Sequence, residues 1–195
     1  MLKWIFKLLF RLRGWKLYTA TPKEAFNSII VAAPHTSNWD FVYAIAALDM
    51  LGLNPKFTIK KEHNVFILGN MIRNLGALWI DRSPVQGQTV KKSMTKVMSE
   101  LFENNTEPLS LLVTAEGTRS KNTMWKTGFY YAALEAKVPI CMAYMDYKNR
   151  ITGVQACFMP VGDIEQDMRV VMDFYRDKMD VGKYPENFAL DERFS

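Results

Sequence analysis

The sequence predicts a single α/β domain with a largely parallel or mixed sheet flanked by helices, preceded by an amphipathic N-terminal helix. Six apolar runs of strand length alternate with five longer runs of helical spacing between residues 28 and 179. Strands that are apolar throughout and alternate with helices are typical of a largely parallel sheet covered on both faces. The length of 195 residues fits one domain with a core of ordinary size.

The predicted strands are residues 28–33, 57–60, 77–80, 109–114, 140–145 and 153–159, and the predicted helices are residues 39–51, 65–74, 88–103, 128–136 and 164–179. Sheets of this kind bind ligands beyond the C-terminal ends of their strands. His35 and Glu116 each follow a predicted strand, so we expect them to face one site. Residues 181–195 are polar and include Pro185, which predicts a loosely packed terminus.

The first 16 residues predict a helix that lies in a membrane interface. At 100° per residue, Lys3, Lys7 and Arg11 fall on one stripe, and Trp4 is expected near the headgroup boundary. About twelve residues at ~1.5 Å each give roughly 18 Å of helix, which is shorter than a ~30 Å bilayer core. A signal peptide is disfavoured because charges recur inside the apolar stretch. A helix packed on the domain stays an alternative.

The excess positive charge is confined to this same segment. The chain has 25 Lys and Arg against 20 Asp and Glu. Five of the cations (Lys3, Lys7, Arg11, Arg13 and Lys16) precede residue 17, which leaves 20 against 20 in the remainder. This distribution argues against a nucleic-acid partner and favours an anionic membrane surface.

The cysteines and histidines give no metal or redox motif. Cys141 and Cys157 lie in apolar stretches without CxxC spacing, so we expect free thiols buried in a reducing compartment. His63 has no HExxH context, so no metal site is expected. Neither a GxSxG elbow nor a GxxxxGK[ST] phosphate loop occurs. We therefore expect a peripheral or monotopic protein on the cytoplasmic side of a membrane.

A candidate catalytic pair follows the first predicted strand. Residues 35–40 (HTSNWD) place the His35 imidazole and the Asp40 carboxylate five residues apart. A carboxylate fixes the tautomer of a basic imidazole and stabilises the imidazolium that it becomes. Ser37 or Asn38 is the expected N-cap of the next helix, with Asp40 in its first turn. In the alternative interpretation, Asp40 only caps the helix and His35 is a loop residue.

A candidate anion site follows the predicted strand 109–114. Residues 115–120 (AEGTRS) combine an acid, a glycine, a hydroxyl and a guanidinium, and Arg binds phosphate through a fixed fork of donors. We expect Glu116 either to orient Arg119 or to contact the acceptor, and Gly117 to let backbone amides approach an anion. The candidate substrate-binding residues are Lys60, Arg82, Glu116, Gly117, Thr118 and Arg119.

Four ordered blocks resemble the glycerolipid acyltransferase family, the group of 1-acyl-glycerol-3-phosphate (lysophosphatidate) acyltransferases. The blocks are His35-x4-Asp40, residues 76–82 (GALWIDR), residues 116–120 (EGTRS) and residues 138–140 (VPI). The resemblance implies an acyltransferase domain over residues 17–195, with His35 as general base and Asp40 as its partner. It implies acyl-CoA or acyl carrier protein as co-substrate, no other cofactor, and a lysolipid acceptor.

The identity of the acceptor stays open at this point. Thr114-Ala115 stand where the family usually has Phe-Pro, so both 1-acyl-glycerol-3-phosphate and a lyso-aminolipid of ornithine or glycine type remain candidates. A lipid-binding module and a thioester hydrolase are the competing functional classes. Donors to the oxyanion are expected among the backbone amides near His35 or Gly117.

Overall fold

Five strands of mixed direction form the main sheet of the computed structural model, which describes residues 2–60, 72–80 and 93–195. Their order is β1 (Lys16–Leu17), β7 (Ile151–Phe158), β6 (Ile140–Asp146), β2 (Ser28–Ala32) and β5 (Ser110–Val113). Strand β2 runs parallel to both β5 and β6, β1 runs parallel to β7, and β6 and β7 are antiparallel. The predicted α/β fold with a mixed sheet is confirmed.

A second pair of strands continues this sheet at its β5 edge. Strands β3 (Phe57–Lys60) and β4 (Ala77–Ile80) are parallel to one another. Lys56, just before β3, donates its N–H to Ser110 O at 2.8 Å and accepts from Leu112 N–H at 2.7 Å. The six predicted strands are all present, and β1 was not predicted because two residues are too short to show a periodic pattern.

The helices lie where the apolar periodicity predicts them. They are α1 (Leu2–Leu12), α2 (Asn38–Met50), α3 (Met94–Glu103), α4 (Gly128–Ala136) and α5 (Ile164–Arg176), with short 3-10 helices at Lys23–Asn27 and Pro185–Asn187. Most of the predicted helix 65–74 and the first residues of the predicted helix 88–103 lie outside the described residues.

Helices cover both faces of the sheet because β2 is apolar on both of its faces. Ile29 and Val31 point to one side and join a core that includes Met168 of α5. Ile30 points to the other side and packs with Ile45 of α2. All of these side chains are fully buried, and each contributes roughly 1.5–3 kcal/mol to folding. The C-terminal end of β2 is thereby held between two helical layers.

Helix α1 forms as predicted, but two of its three cations are turned toward the domain. Lys3 and Lys7 each place Nζ 2.8 Å from a carboxylate oxygen of Asp49 on α2. Burial alone would raise the pKa of Asp49, but the hydrogen bonds and charges of the two lysines outweigh burial and lower it. The expectation that this basic stripe meets lipid headgroups is corrected for these two lysines, because an acidic partner on α2 already binds them.

The opposite side of α1 is apolar and exposed. Phe10 is buried in a cluster with Trp15 and Tyr43, which fixes the helix on the domain. The exposed strip, as we name it, consists of Trp4, Ile5, Leu8 and Leu12. In the part of the chain that the structure describes, no helix combines the length and the apolar character needed to cross a bilayer.

The two cysteines form a disulfide, so the prediction of free thiols is wrong. Cys141 on β6 lies directly opposite Cys157 on β7 in the antiparallel register, and the two sulfur atoms are bonded. The two cysteines are sixteen positions apart with a hairpin turn between them, and the register of that hairpin decides which residues face each other. Spacing along the sequence does not show this register.

The C-terminal tail is packed on the domain, contrary to the predicted loose terminus. Phe188 and Asp191 are buried, and Asp191 accepts a hydrogen bond from Trp125 N–H at 3.0 Å. Tyr184 N–H donates to Thr36 Oγ1 at 3.2 Å, which brings the tail against the loop that follows β2. A few apolar anchors and one buried carboxylate are sufficient to hold a segment that is polar on average.

Candidate functional site

The His35 loop is shaped by the start of α2. Ser37 is the N-cap and Asp40 is the third helical residue, and the two form a capping box. One carboxylate oxygen of Asp40, Oδ2, accepts the backbone N–H groups of Thr36 and Ser37, both at 2.8 Å. These two bonds point the carboxylate back along the chain toward His35.

The same oxygen lies next to the imidazole of His35. Nδ1 of His35 is 3.2 Å from Oδ2 of Asp40, and the side chains are 22% and 7% exposed. The buried carboxylate therefore faces one ring nitrogen, while the ring itself is partly open to the surroundings. Asp40 caps the helix and is also placed to orient His35, so the two interpretations of the pair describe a single geometry.

Glu116, which follows the neighbouring parallel strand β5, holds the backbone of His35. Its Oε1 accepts the His35 N–H at 2.7 Å, and the residue is 1% exposed. Burial raises the pKa of Glu116 to about 8, the Asp40 charge adds to this, and the hydrogen bond from His35 partly offsets it. Sequence reasoning did not anticipate this contact. The two roles predicted for Glu116, toward Arg119 or the acceptor, stay predictions.

A cavity of about 460 Å³ opens beside the pair. His35, Asn38 and Asp40 form part of its wall, and most of the remaining lining is apolar. The apolar lining comes from the strand ends and from α2, α3 and α4, and includes Phe41, Ala44, Ala47, Leu48, Phe57, Met98, Leu112, Phe129 and Met145. The cavity therefore combines a basic imidazole with a surface suited to a hydrocarbon chain.

Two cations stand at the same cavity. Arg119 and Lys126 both line it, and both residues are exposed. Gly117 has φ +71°, and a Cβ added there would lie 2.6 Å from Cε of Lys126. The missing side chain of Gly117 thus leaves room for Lys126 to cross the loop. Lys126 was not predicted, since a single lysine outside the polar block carries no signal in the sequence.

The remaining predicted residues are placed as follows. Thr118 is exposed, and its Oγ1 accepts the Ser120 N–H at 3.2 Å within the turn. Lys60 is the last residue of β3, and its side chain, like Arg82, lies outside the described residues. Among the described side chains, no group of three or more His, Cys, Asp or Glu is arranged to hold a metal ion.

The backbone amides expected to bind an oxyanion have other acceptors. The N–H groups of Thr36 and Ser37 donate to Asp40, and the His35 N–H donates to Glu116. Gly117 N–H donates to Thr114 O at 3.2 Å. These four donors are engaged in building the loops, so the side chains of Asn38, Arg119 and Lys126 are better placed to meet negative charge in the cavity.

Comparisons with known proteins agree with this architecture. A family model described as acyltransferase matches residues 18–146, which is more than half of the chain. The crystal structure of the 1-acyl-sn-glycerophosphate (LPA) acyltransferase PlsC from Thermotoga maritima superposes with a TM-score of 0.57 and 16% sequence identity, covering 91% of this chain and 76% of that one. A search of curated proteins finds no match. From the extent of the family-model match, the chain belongs to the acyltransferase family and is an acyltransferase.

Proposed function

We propose that the protein transfers a fatty acyl group from a thioester donor, acyl-CoA or acyl carrier protein, to the hydroxyl of a lysolipid. The observation that carries this proposal is the His35–Asp40 pair at the wall of an apolar cavity that also contains two cations. An acyl chain requires an apolar surface, a phosphate requires cations, and a hydroxyl requires a base. The acceptor that combines these requirements best is 1-acyl-glycerol-3-phosphate.

In this mechanism His35 is the general base. Its Nδ1 faces Asp40, so Nε2 takes the proton of the acceptor hydroxyl as the oxygen attacks the thioester carbonyl. The tetrahedral intermediate then collapses, the carbon–sulfur bond breaks, and the imidazolium returns its proton to the leaving thiolate. The buried Asp40 carboxylate stabilises the imidazolium during this interval. The acceptor attacks directly, so no acyl-enzyme intermediate forms.

The cations beside the cavity would bind the phosphate of the acceptor. Arg119 offers a planar fork of donors, and Lys126 adds a second positive charge on the same wall. A lyso-aminolipid also carries an anionic carboxylate, so a panel of lysolipids decides between the two head groups. Higher kcat/KM with a lyso-aminolipid than with 1-acyl-glycerol-3-phosphate would contradict the proposed acceptor.

We further propose that the exposed strip on α1 contacts the membrane that supplies the acceptor. An apolar helix face with an aromatic residue binds the lipid interface through buried area. Arg11, Arg13 and Lys16 are exposed, and each adds ~1 kcal/mol near an anionic surface. Because Phe10 and Trp15 are buried, removing residues 1–16 would damage the core. Substitutions within the strip therefore test this contact better than a truncation.

The His35→Ala variant tests the proposed chemistry. Release of thiol from acyl-CoA should fall by roughly two to four decades, the usual contribution of a general base, while the melting temperature stays near that of the wild type. The wild type should release thiol only when lysolipid is present. Thiol release without lysolipid would identify a hydrolase, and none under either condition would identify a lipid-binding protein. Undiminished acylation by His35→Ala would contradict the assignment of the base.

A further inference from the structure

The second oxygen of the Asp40 carboxylate also has a donor, which comes from the turn after the neighbouring parallel strand β6. Tyr147 donates its hydroxyl to Asp40 Oδ1 at 2.6 Å. The other oxygen, Oδ2, accepts the amides of Thr36 and Ser37 and faces His35. The carboxylate is thus held at both oxygens, so it cannot rotate away from the imidazole without losing a hydrogen bond.

Tyr147 itself is fixed before it meets Asp40. It follows β6 directly, at the turn into β7, and its N–H donates to Val181 O at 2.8 Å. Its ring stands edge-on to the ring of Trp15, with the two ring centroids 5.0 Å apart. The centroid of the Tyr43 ring lies 6.3 Å from that of Tyr147. Backbone and ring are both constrained, which lowers the entropy lost in placing the hydroxyl.

The hydroxyl acts here as a donor. Burial raises the pKa of Tyr147 well above its usual range, and the hydrogen bond to Asp40 and the charge of Asp40 raise it further. The phenol therefore keeps its proton across the working pH range. A hydrogen bond from a neutral hydroxyl to a carboxylate is charge-assisted and short, in agreement with the 2.6 Å distance.

We infer that Tyr147 is a positioning residue for catalysis, which fixes the Asp40 carboxylate so that its Oδ2 stays beside Nδ1 of His35. The inference rests on the proposed function, in which His35 is the base. Tyr147 lies one residue beyond the segment that the family model matches, and it is separated from Asp40 by 107 residues. Through Trp15, the aromatic contact links the segment that follows α1 to the catalytic pair.

The test compares Tyr147→Phe with Tyr43→Phe. Both variants keep the ring in the same aromatic cluster, but of the two tyrosine hydroxyls only that of Tyr147 donates to Asp40. Tyr147→Phe should lower kcat by about tenfold or more, the size of one lost hydrogen bond to a charged acceptor, and leave the KM values for donor and acceptor unchanged. Tyr43→Phe should behave as the wild type in both parameters.

The same substitution made in an Asp40→Asn protein distinguishes a positioning role of Tyr147 from a general effect on the structure. In Asp40→Asn protein, adding Tyr147→Phe should cause little further loss, because the interaction that Tyr147 supports is already altered. An unchanged kcat for Tyr147→Phe, equal rises in both KM values, or fully additive losses in the double variant would overturn the inference. If His35→Ala retained full activity, the proposed function would fail. If His35→Ala were inactive and Tyr147→Phe normal, only the inference about Tyr147 would fail.

Discussion

Replacing Glu116 by Gln should make the protein more stable at alkaline pH relative to the wild type. The wild-type carboxyl is 1% exposed, and its pKa is raised from 4.5 to about 8, chiefly by burial. Between these two values the folded protein holds a proton that the unfolded chain releases. The folded state therefore loses stability relative to the unfolded state as the pH rises through this window. Gln keeps an oxygen acceptor for the His35 N–H and carries no titrating proton.

The size of this effect follows from the pKa difference. One pKa unit corresponds to 1.36 kcal/mol, so raising the pH from 5 to 8 removes about 3 kcal/mol of unfolding free energy from the wild type through this group. This is an upper limit, since relaxation and water entry lower the cost of a buried charge. Between pH 5 and 8 we expect the unfolding free energy of the wild type to fall by at least ~1 kcal/mol relative to that of Glu116→Gln. This is a large share of the stability of a domain.

Urea unfolding of both proteins at several pH values between 5 and 8 measures the difference. Glu186→Gln is the matched control, because Glu186 is exposed and is surrounded by water in both states. The difference between wild type and Glu116→Gln should change with pH, while the control should run parallel to the wild type. Parallel curves for Glu116→Gln as well would refute the proposed protonation of the buried carboxyl.

Three further variants test the cavity, the docking of α1 and the membrane contact. Arg119→Ala should raise the acceptor KM by about tenfold, the effect of losing a charge-assisted pair, and should raise the donor KM less; equal rises would show that Arg119 does not bind the head group. Asp49→Asn should lower the unfolding free energy by about 1 kcal/mol, since it removes the partner of two lysines; an unchanged urea midpoint would contradict this. A Leu8→Ser and Leu12→Ser double variant should sediment less with anionic vesicles and keep its activity on a soluble short-chain lysolipid; undiminished sedimentation would exclude the exposed strip.

Local patterns predicted the elements because the interactions that form them are local. The run before His35 is apolar at every position, which fits a strand buried on both faces, and residues 28–32 form β2. Ser37 and Asp40 are three residues apart, and their capping box depends on that interval alone. The pair His35 and Asp40 was therefore available from the sequence together with its orientation.

Contacts that depend on the docking of distant elements were not predicted. Tyr147 contacts Asp40 only when the β6–β7 hairpin packs beside α2. A tyrosine that follows a strand does not by itself predict such a contact. The disulfide between Cys141 and Cys157 requires the register of the same hairpin. The polar composition of the C-terminal tail predicted a loosely packed segment, and this prediction is wrong. Asp191 is fully buried there because Trp125 N–H and Arg193 donate hydrogen bonds to its carboxylate. An average over a polar segment does not show a single anchored residue.

The four-residue interval between His35 and Asp40 is a consequence of how a helix starts. Asp40 is the third helical residue, the position from which a side chain reaches back to the amides before the first turn. His35 precedes the N-cap by two residues, which is where that returning carboxylate arrives. One inserted residue would rotate the carboxylate by about 100° around the helix axis and move it off both the amides and the imidazole. Substituting Thr36, Asn38 or Trp39 leaves the length of this interval unchanged, because the start of the helix sets that length.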